Sequence, residues 1–160
     1  MKSCNRNKHR HTHTDQQYRP YGIKRNNVVN YNITQNYLSV DILDFDILNV
    51  SFSETHENKV VNGTFSNIIY TDSNVIFNGI FILLSDIYSK AYKLDYIERI
   101  VLQWYTEFSA TSKEPLYLVK EDIENTEKKM VFDNNYIFKI SGVWETDTHY
   151  GINYRFIQRK

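Results

Sequence analysis

The sequence predicts an α+β protein: a bent antiparallel sheet or partly open β-barrel of about five to seven strands, one long amphipathic helix against it, and a disordered basic N-terminal arm. Three observations lead there. Segments rich in β-branched and aromatic residues, with period-two alternation, occupy residues 37–84 and return at 136–157. Between them, one stretch ending at Phe108 spaces its apolar residues by three and four. Residues 1–30 show no apolar periodicity, so they would bury too little surface to offset the entropy of ordering.

A chain of 160 residues is one ordinary domain with room for a tail, here an arm at 1–30 and a single domain at 31–160. The formal net charge is zero, yet Lys2, Arg6, Lys8, Arg10, Arg19, Lys24 and Arg25 stand against Asp15 alone in residues 1–28, which carry +6 and leave −6 to the rest. A basic arm on an acidic body suits a polyanionic partner, because each Lys or Arg near a phosphate releases condensed counterions. His9, His11 and His13 alternate within the arm, but the cations around them repel a metal ion and no metal site is expected. The one cysteine, Cys4, lies in the same arm, which excludes an intramolecular disulfide framework and favours a reducing compartment. The longest apolar run, residues 75–84, is broken by Asn78 and Gly79 and falls short of the roughly 20 residues a membrane span needs.

The elements follow in order. Residues 37–52 read as a half-buried strand with Leu43, Phe45 and Ile47 on one face, Asp44 and Asp46 on the other, and a bulge near residues 42–43. Asp41, Asp44 and Asp46 do not fit the calcium-loop pattern, which needs a Gly at its sixth position and a Glu at its twelfth, and are expected to be solvated strand carboxylates. Asn62-Gly63 supplies a turn. After it, residues 64–70 and 75–84 form a hairpin, with Gly79 marking a bulge or bend in the second strand. Ser85-Asp86 cap a helix of about twenty residues whose apolar stripe is Ile87, Ala91, Leu94, Ile97, Val101, Trp104 and Phe108, with Asp95 and Arg99 paired at i, i+4. Its polar face mixes Asp95, Glu98 and Glu107 with Lys90, Lys93 and Arg99, unlike the Lys/Arg-rich face of a membrane-surface helix. The stripe is therefore expected to pack on the sheet. Residues 116–119 read as a short strand and 120–129 as a charged turn or short helix. The chain closes with a hairpin: Tyr136, Phe138, Ile140 and Trp144 on one face of the first strand, Tyr150, Ile152, Tyr154 and Phe156 on one face of the second, and Ile137, Lys139 and Ser141, then Asn153 and Arg155, on the opposite side.

The motifs of common chemistries are missing: the sequence holds no Gly-rich phosphate loop, H-E-x-x-H, C-x-x-C or G-x-S-x-G. Nucleophilic catalysis needs a Ser or Cys beside a base and an orienting group, whereas residues 31–160 hold only two histidines, His56 and His149. His149, next to Asp147 and Glu145, is expected to be a surface turn histidine. No enzyme activity and no cofactor are expected. Binding remains. Bases stack on aromatic rings while Lys and Arg follow the phosphates, and the terminal hairpin supplies both residue types. The candidate nucleic-acid-binding residues are Lys139, Arg155, Arg159 and Lys160 for phosphates, joined by the arm, with Trp144 and Tyr150 for stacking. A second expectation is a virion or assembly role, through protein partners or self-association at a sheet edge.

At residues 64–82 and 136–157 the sequence resembles a group of small proteins from nucleocytoplasmic large DNA viruses. The likeness runs through Phe65, Ser66, Ile68, Ile69 and Tyr70; Asn78, Gly79 and Ile80; Ile97, Glu98 and Ile100; and Ile140, Ser141, Gly142, Trp144, Glu145, Tyr150, Gly151, Tyr154 and Phe156, with Lys113, Pro115, Tyr117 and Leu118 between. More loosely the chain is similar to viral OB-fold proteins that bind single-stranded DNA and also interpose a helix between barrel strands. The likeness implies an OB-like fold, a single-stranded nucleic-acid partner, and a location in the host cytoplasm, a viral factory or the virion. This chain ends Ile157-Gln158-Arg159-Lys160 where those proteins carry an acidic tail, so partner recruitment through such a tail does not carry over.

Overall fold

The computed structural model describes residues 40–60, 62–72, 75–84, 91–127 and 136–158. The arm at 1–30, the start of the strand expected from residue 37, the helix cap at Ser85-Asp86 with Ile87, and Arg159 and Lys160 lie outside the described residues.

The terminal hairpin is the spine of the fold. Strand β8, Tyr136–Glu145, and strand β9, His149–Gln158, pair antiparallel along their length. Their turn is closed by the Thr146 N–H donating to the His149 carbonyl at 2.8 Å, while Thr146 Oγ1 accepts from the His149 N–H at 3.2 Å. The register shifts once, between Ile140, opposite Tyr154, and Gly142, opposite Asn153. That bulge at Ser141 exchanges the two faces of β8 beyond it. Tyr136, Phe138 and Ile140 are therefore continued on the inner face by Val143 and Glu145. The strand alternation placed Trp144 with them; it lies on the outer face, opposite Gly151.

Two strands share the other edge of β8. Strand β6, Ile80–Leu84, runs along Tyr136–Ile140, and strand β4, Thr64–Asp72, begins along Gly142–Glu145 before turning away. The expected hairpin partner of β4 is consequently two elements. Strand β5, Val75–Phe77, pairs with the end of β4, and the chain then breaks at Asn78 and Gly79 into β6. Gly79 has φ +116°, and a Cβ there would lie 2.6 Å from the Ile140 carbonyl oxygen, so this bend is open to glycine alone. Three short strands complete the sheet: β1, Val40–Asp41, parallel to β6; β2, Val50–Phe52, antiparallel to β4; and β3, His56–Glu57, hairpinned to β4 across Asn62-Gly63. Strand β7, Glu114–Pro115, adds in parallel to the start of β9. The result is an α+β fold whose sheet curls into an open half-barrel, with nine strands among the described residues.

Helix α1, Ala91–Ser109, fills the concave side. Leu94, Ile97, Val101, Leu102 and Tyr105 are buried against Ile68, Tyr70, Ile80, Ile82, Phe138, Tyr154 and Phe156 of the inner face. The stripe rotates from the expected one: Leu102 and Tyr105 are inside, and Phe108 is half exposed. Trp104 keeps its role partly, its indole N–H donating at 3.1 Å to the carbonyl of Val50 in β2. Helix α2, Val119–Glu127, buries Val119, Asp122 and Ile123.

Two expectations are corrected. Residues 40–52 are not one strand: a short 3-10 turn, Ile47–Asn49, separates β1 from β2, capped by Asp46, whose carboxylate accepts from the Leu48 N–H at 2.9 Å. Asp and Asn side chains compete for nearby backbone groups, and here that local bond overrides the alternation. Leu43, expected on a buried face, is 75% exposed. Residues 116–119 form no strand; Val119 instead opens α2, because Glu98 supplies the acceptors that its first N–H groups need.

Candidate nucleic-acid interface

The outer face of β8 and β9 carries Lys139, Asn153 and Arg155, as the hairpin alternation assigned them, while Ile137, assigned to the same face, is buried. Lys139 and Arg155 are direct cross-strand partners, and Phe81 of β6 stands on the other side of Lys139, so Phe81, Lys139 and Arg155 form one row across three strands. The Lys139 ammonium lies 4.9 Å from the centre of the Phe81 ring, within cation–π range. All three side chains are half-buried. Like charges directly opposite on paired strands repel. Burial first, and the Arg155 charge beside it second, push the Lys139 ammonium below its ordinary value. An anion set between the two cations would relieve both effects.

The neighbouring rows explain why the motif glycines stand where they do. A Cβ on Gly142 would meet the Phe65 ring at 2.5 Å, and one on Gly151 would meet Trp144 Cζ2 at 2.5 Å. Phe65 thus lies over Gly142, and Trp144 over Gly151, each ring covering a bare stretch of strand. Trp144 is only 2% exposed and donates its indole N–H to the Ile152 carbonyl at 3.2 Å. Tyr150, 4% exposed, faces inward, its hydroxyl sharing a 2.8 Å hydrogen bond with that of Thr106 on α1. Both rings proposed for stacking are therefore packing residues. Partly exposed rings on the cationic face belong instead to Phe81 and Phe65. The sequence signal for Phe81 was its odd position in the alternation Ile80-Phe81-Ile82, opposite in parity to the core residues.

Two clusters of ionisable groups lie on the inner side. Glu145 is the hub of one cluster: it accepts from the Tyr105 hydroxyl at 2.9 Å and the Thr111 hydroxyl at 3.2 Å and pairs with the Lys113 ammonium at 2.7 Å. Burial works to raise the Glu145 carboxyl, but Lys113, Tyr105 and Thr111 outweigh it and hold the group below the ordinary carboxylate value. Burial pushes the Tyr105 hydroxyl up to about 12. Glu98 is the second centre. Placed on the polar face by the helical pattern, it is instead fully buried, its two oxygens accepting the N–H groups of Leu118 and Val119 at 2.9 and 3.0 Å. Its sequence clue was position: Glu98 falls between Leu94, Ile97 and Val101 on the apolar stripe. Asp122 of α2, buried beside it, accepts from the Tyr154 hydroxyl.

His149, expected as a surface turn residue, instead opens β9 and is half-buried, its Nε2 at 3.3 Å from Glu114 and its Nδ1 at 2.7 Å from the Thr148 hydroxyl. Asp44 and Asp46 are exposed, in the turn segment rather than on a strand. Among the described residues no three His, Cys, Asp or Glu side chains gather in a metal-binding group, and no helix is long and apolar enough to cross a membrane. The chain matches no protein-family model, no curated protein and no solved structure.

Proposed function

We propose that this chain is a non-catalytic nucleic-acid-binding protein of a large DNA virus, taking single strands on the outer face of its half-barrel. The observation that carries this reading is the side-by-side placement of Lys139 and Arg155 on paired strands. The two cations stand at cross-strand distance, and a phosphodiester has oxygens enough for both. The basic arm, with six net positive charges in residues 1–28, would add ion pairs along the same backbone. The viral setting, with the host cytoplasm or a viral factory as the place of action, is proposed from the resemblance read in residues 64–82 and 136–157 alone.

The test is a fluorescence-polarisation titration with labelled single-stranded DNA over a salt series. Log affinity should fall linearly with log salt, and changing Lys139 and Arg155 together to Ala should reduce that slope by about 0.7, the share of the one phosphate held between them on a single strand. An unchanged slope and affinity in the double variant would remove the face from consideration. Loss of all binding on deleting residues 1–28 would assign it to the arm alone.

A virion or assembly role is a second reading, favoured by one feature. Tyr92 and Tyr96, 66% and 61% exposed, stand one turn apart on α1, and exposed tyrosines are enriched where proteins meet. Higher-order assembly in light scattering, with no binding of DNA or RNA, would favour it.

A further inference from the structure

Within the reading above, we infer that Phe81 is the ring on which a base stacks, and that it makes the site prefer a single strand over a duplex. The inference rests on nucleic-acid binding at this face and adds to it the residue that sets strand preference.

The position of Phe81 carries it. The ring occupies the same row as the two cations, immediately beside Lys139 and on the opposite side of it from Arg155. Adjacent strands are about 4.8 Å apart, so one row presents a cation pair and a flat apolar ring within the span of a single nucleotide. The side chain points away from the core, as its neighbours Ile80 and Ile82 are fully buried on the inner face while Phe81 is not. The other two rings of the hairpin motif do not offer this surface: Trp144 is spent on covering Gly151 and Tyr150 on α1. Phe65 lies one row beyond the bulge, over Gly142, where a second base of the same strand would pass.

A ring on a sheet face reaches a base only if the base is unpaired and turned out of its stack, as in single strands. A duplex shows the same surface its phosphates, which Lys139 and Arg155 would hold equally well. Cations therefore set affinity for both forms, and Phe81 contributes to one of them.

The experiment titrates the full chain against a labelled oligothymidylate and against a mixed-sequence duplex of the same length. Phe81→Leu, which keeps the apolar volume and loses the ring, should weaken oligothymidylate binding about tenfold more than it weakens duplex binding, the worth of one stacked base. Phe81→Tyr should retain the wild-type preference, which separates loss of a ring from damage to the sheet. Equal weakening for both nucleic acids, or none for either, while the Lys139 and Arg155 double variant still lowers the salt slope, overturns the role of Phe81 and leaves the face standing. Failure of the wild type to bind either oligonucleotide overturns both.

Discussion

Replacing Glu98 by Gln should change how the stability of this protein depends on pH. The carboxyl of Glu98 is fully buried, with Asp95 and Asp122 nearby, and caps α2 through the N–H groups of Leu118 and Val119. Burial pushes it from an ordinary 4.5 up to about 8, against the pull of those two N–H donors, with the charges of Asp95 and Asp122 adding to the rise. The folded state therefore binds a proton that the unfolded state releases between these values. The stability Glu98 contributes is fully present below about pH 4.5 and is lost progressively as pH rises to about 8. At about 1.4 kcal/mol per pH unit the loss reaches about 4 to 5 kcal/mol, a large part of the total stability of a small domain.

Gln carries no titrating proton, so the comparison isolates the group. In urea unfolding at fixed intervals from pH 4.5 to 8.5, the difference between Glu98→Gln and wild type should move in favour of the variant by several kcal/mol, with m unchanged. At the acid end the variant should be the less stable, since its amide offers one acceptor to two N–H groups and leaves the other donor poorly satisfied at a cost of about 1 to 3 kcal/mol. A difference flat with pH would refute the reasoning. It would mean that the two backbone donors and the N-terminus of α2 hold Glu98 ionised throughout, in spite of its burial.

Two further predictions concern the framework of the site. Gly151→Ala places a Cβ 2.5 Å from Trp144 Cζ2, so the indole must leave its seat; overpacking of this kind costs about 1 to 3 kcal/mol, read as a fall in Tm by calorimetry, and an unshifted Tm would show that Trp144 does not rest there. Glu145→Gln removes the partner of Lys113 but keeps an acceptor for Tyr105. Because the folded-state carboxyl lies below its ordinary value, its contribution is present at neutral pH and is lost as pH falls through that depressed value. Chemical denaturation should find the variant about 1 to 2 kcal/mol less stable at pH 7 and equal to wild type near pH 2; an equal gap at both would assign the loss to packing.

Much of the fold could be read from local pattern. The break at Gly79, the Asn62-Gly63 turn, the terminal hairpin and the long helix all announce themselves through residues whose preferences are local: φ freedom, turn chemistry and periodicity. Patterning failed where one inserted residue or one particular hydrogen bond outweighed it. Trp144 changes face because one extra residue, Ser141, enters β8 and inverts every position beyond it. Glu98 looks like a surface carboxylate until α2 brings two unsatisfied N–H groups against it. The segment around Asp44 and Asp46 alternates like a strand but closes a turn, since Asp46 finds the Leu48 N–H first. For the candidate site, alternation set Lys139 and Arg155 on one face because their pairing lies before the bulge; Trp144 changed face because it follows the bulge, and Tyr150, placed on the inner face by alternation, packs there against α1.

The sequence alone determined that this chain folds as α+β, that its last residues form a two-stranded ribbon, and that Lys139 and Arg155 share the face turned from the core. Each of these depends on periods and turns that a short segment carries within itself. Only the tertiary structure decided which rings stay at the surface, because exposure depends on what the rest of the chain lays against a side chain. Trp144 lies over a bare glycine on the next strand and Tyr150 hydrogen-bonds a helix some forty residues away, and no local pattern records either neighbour.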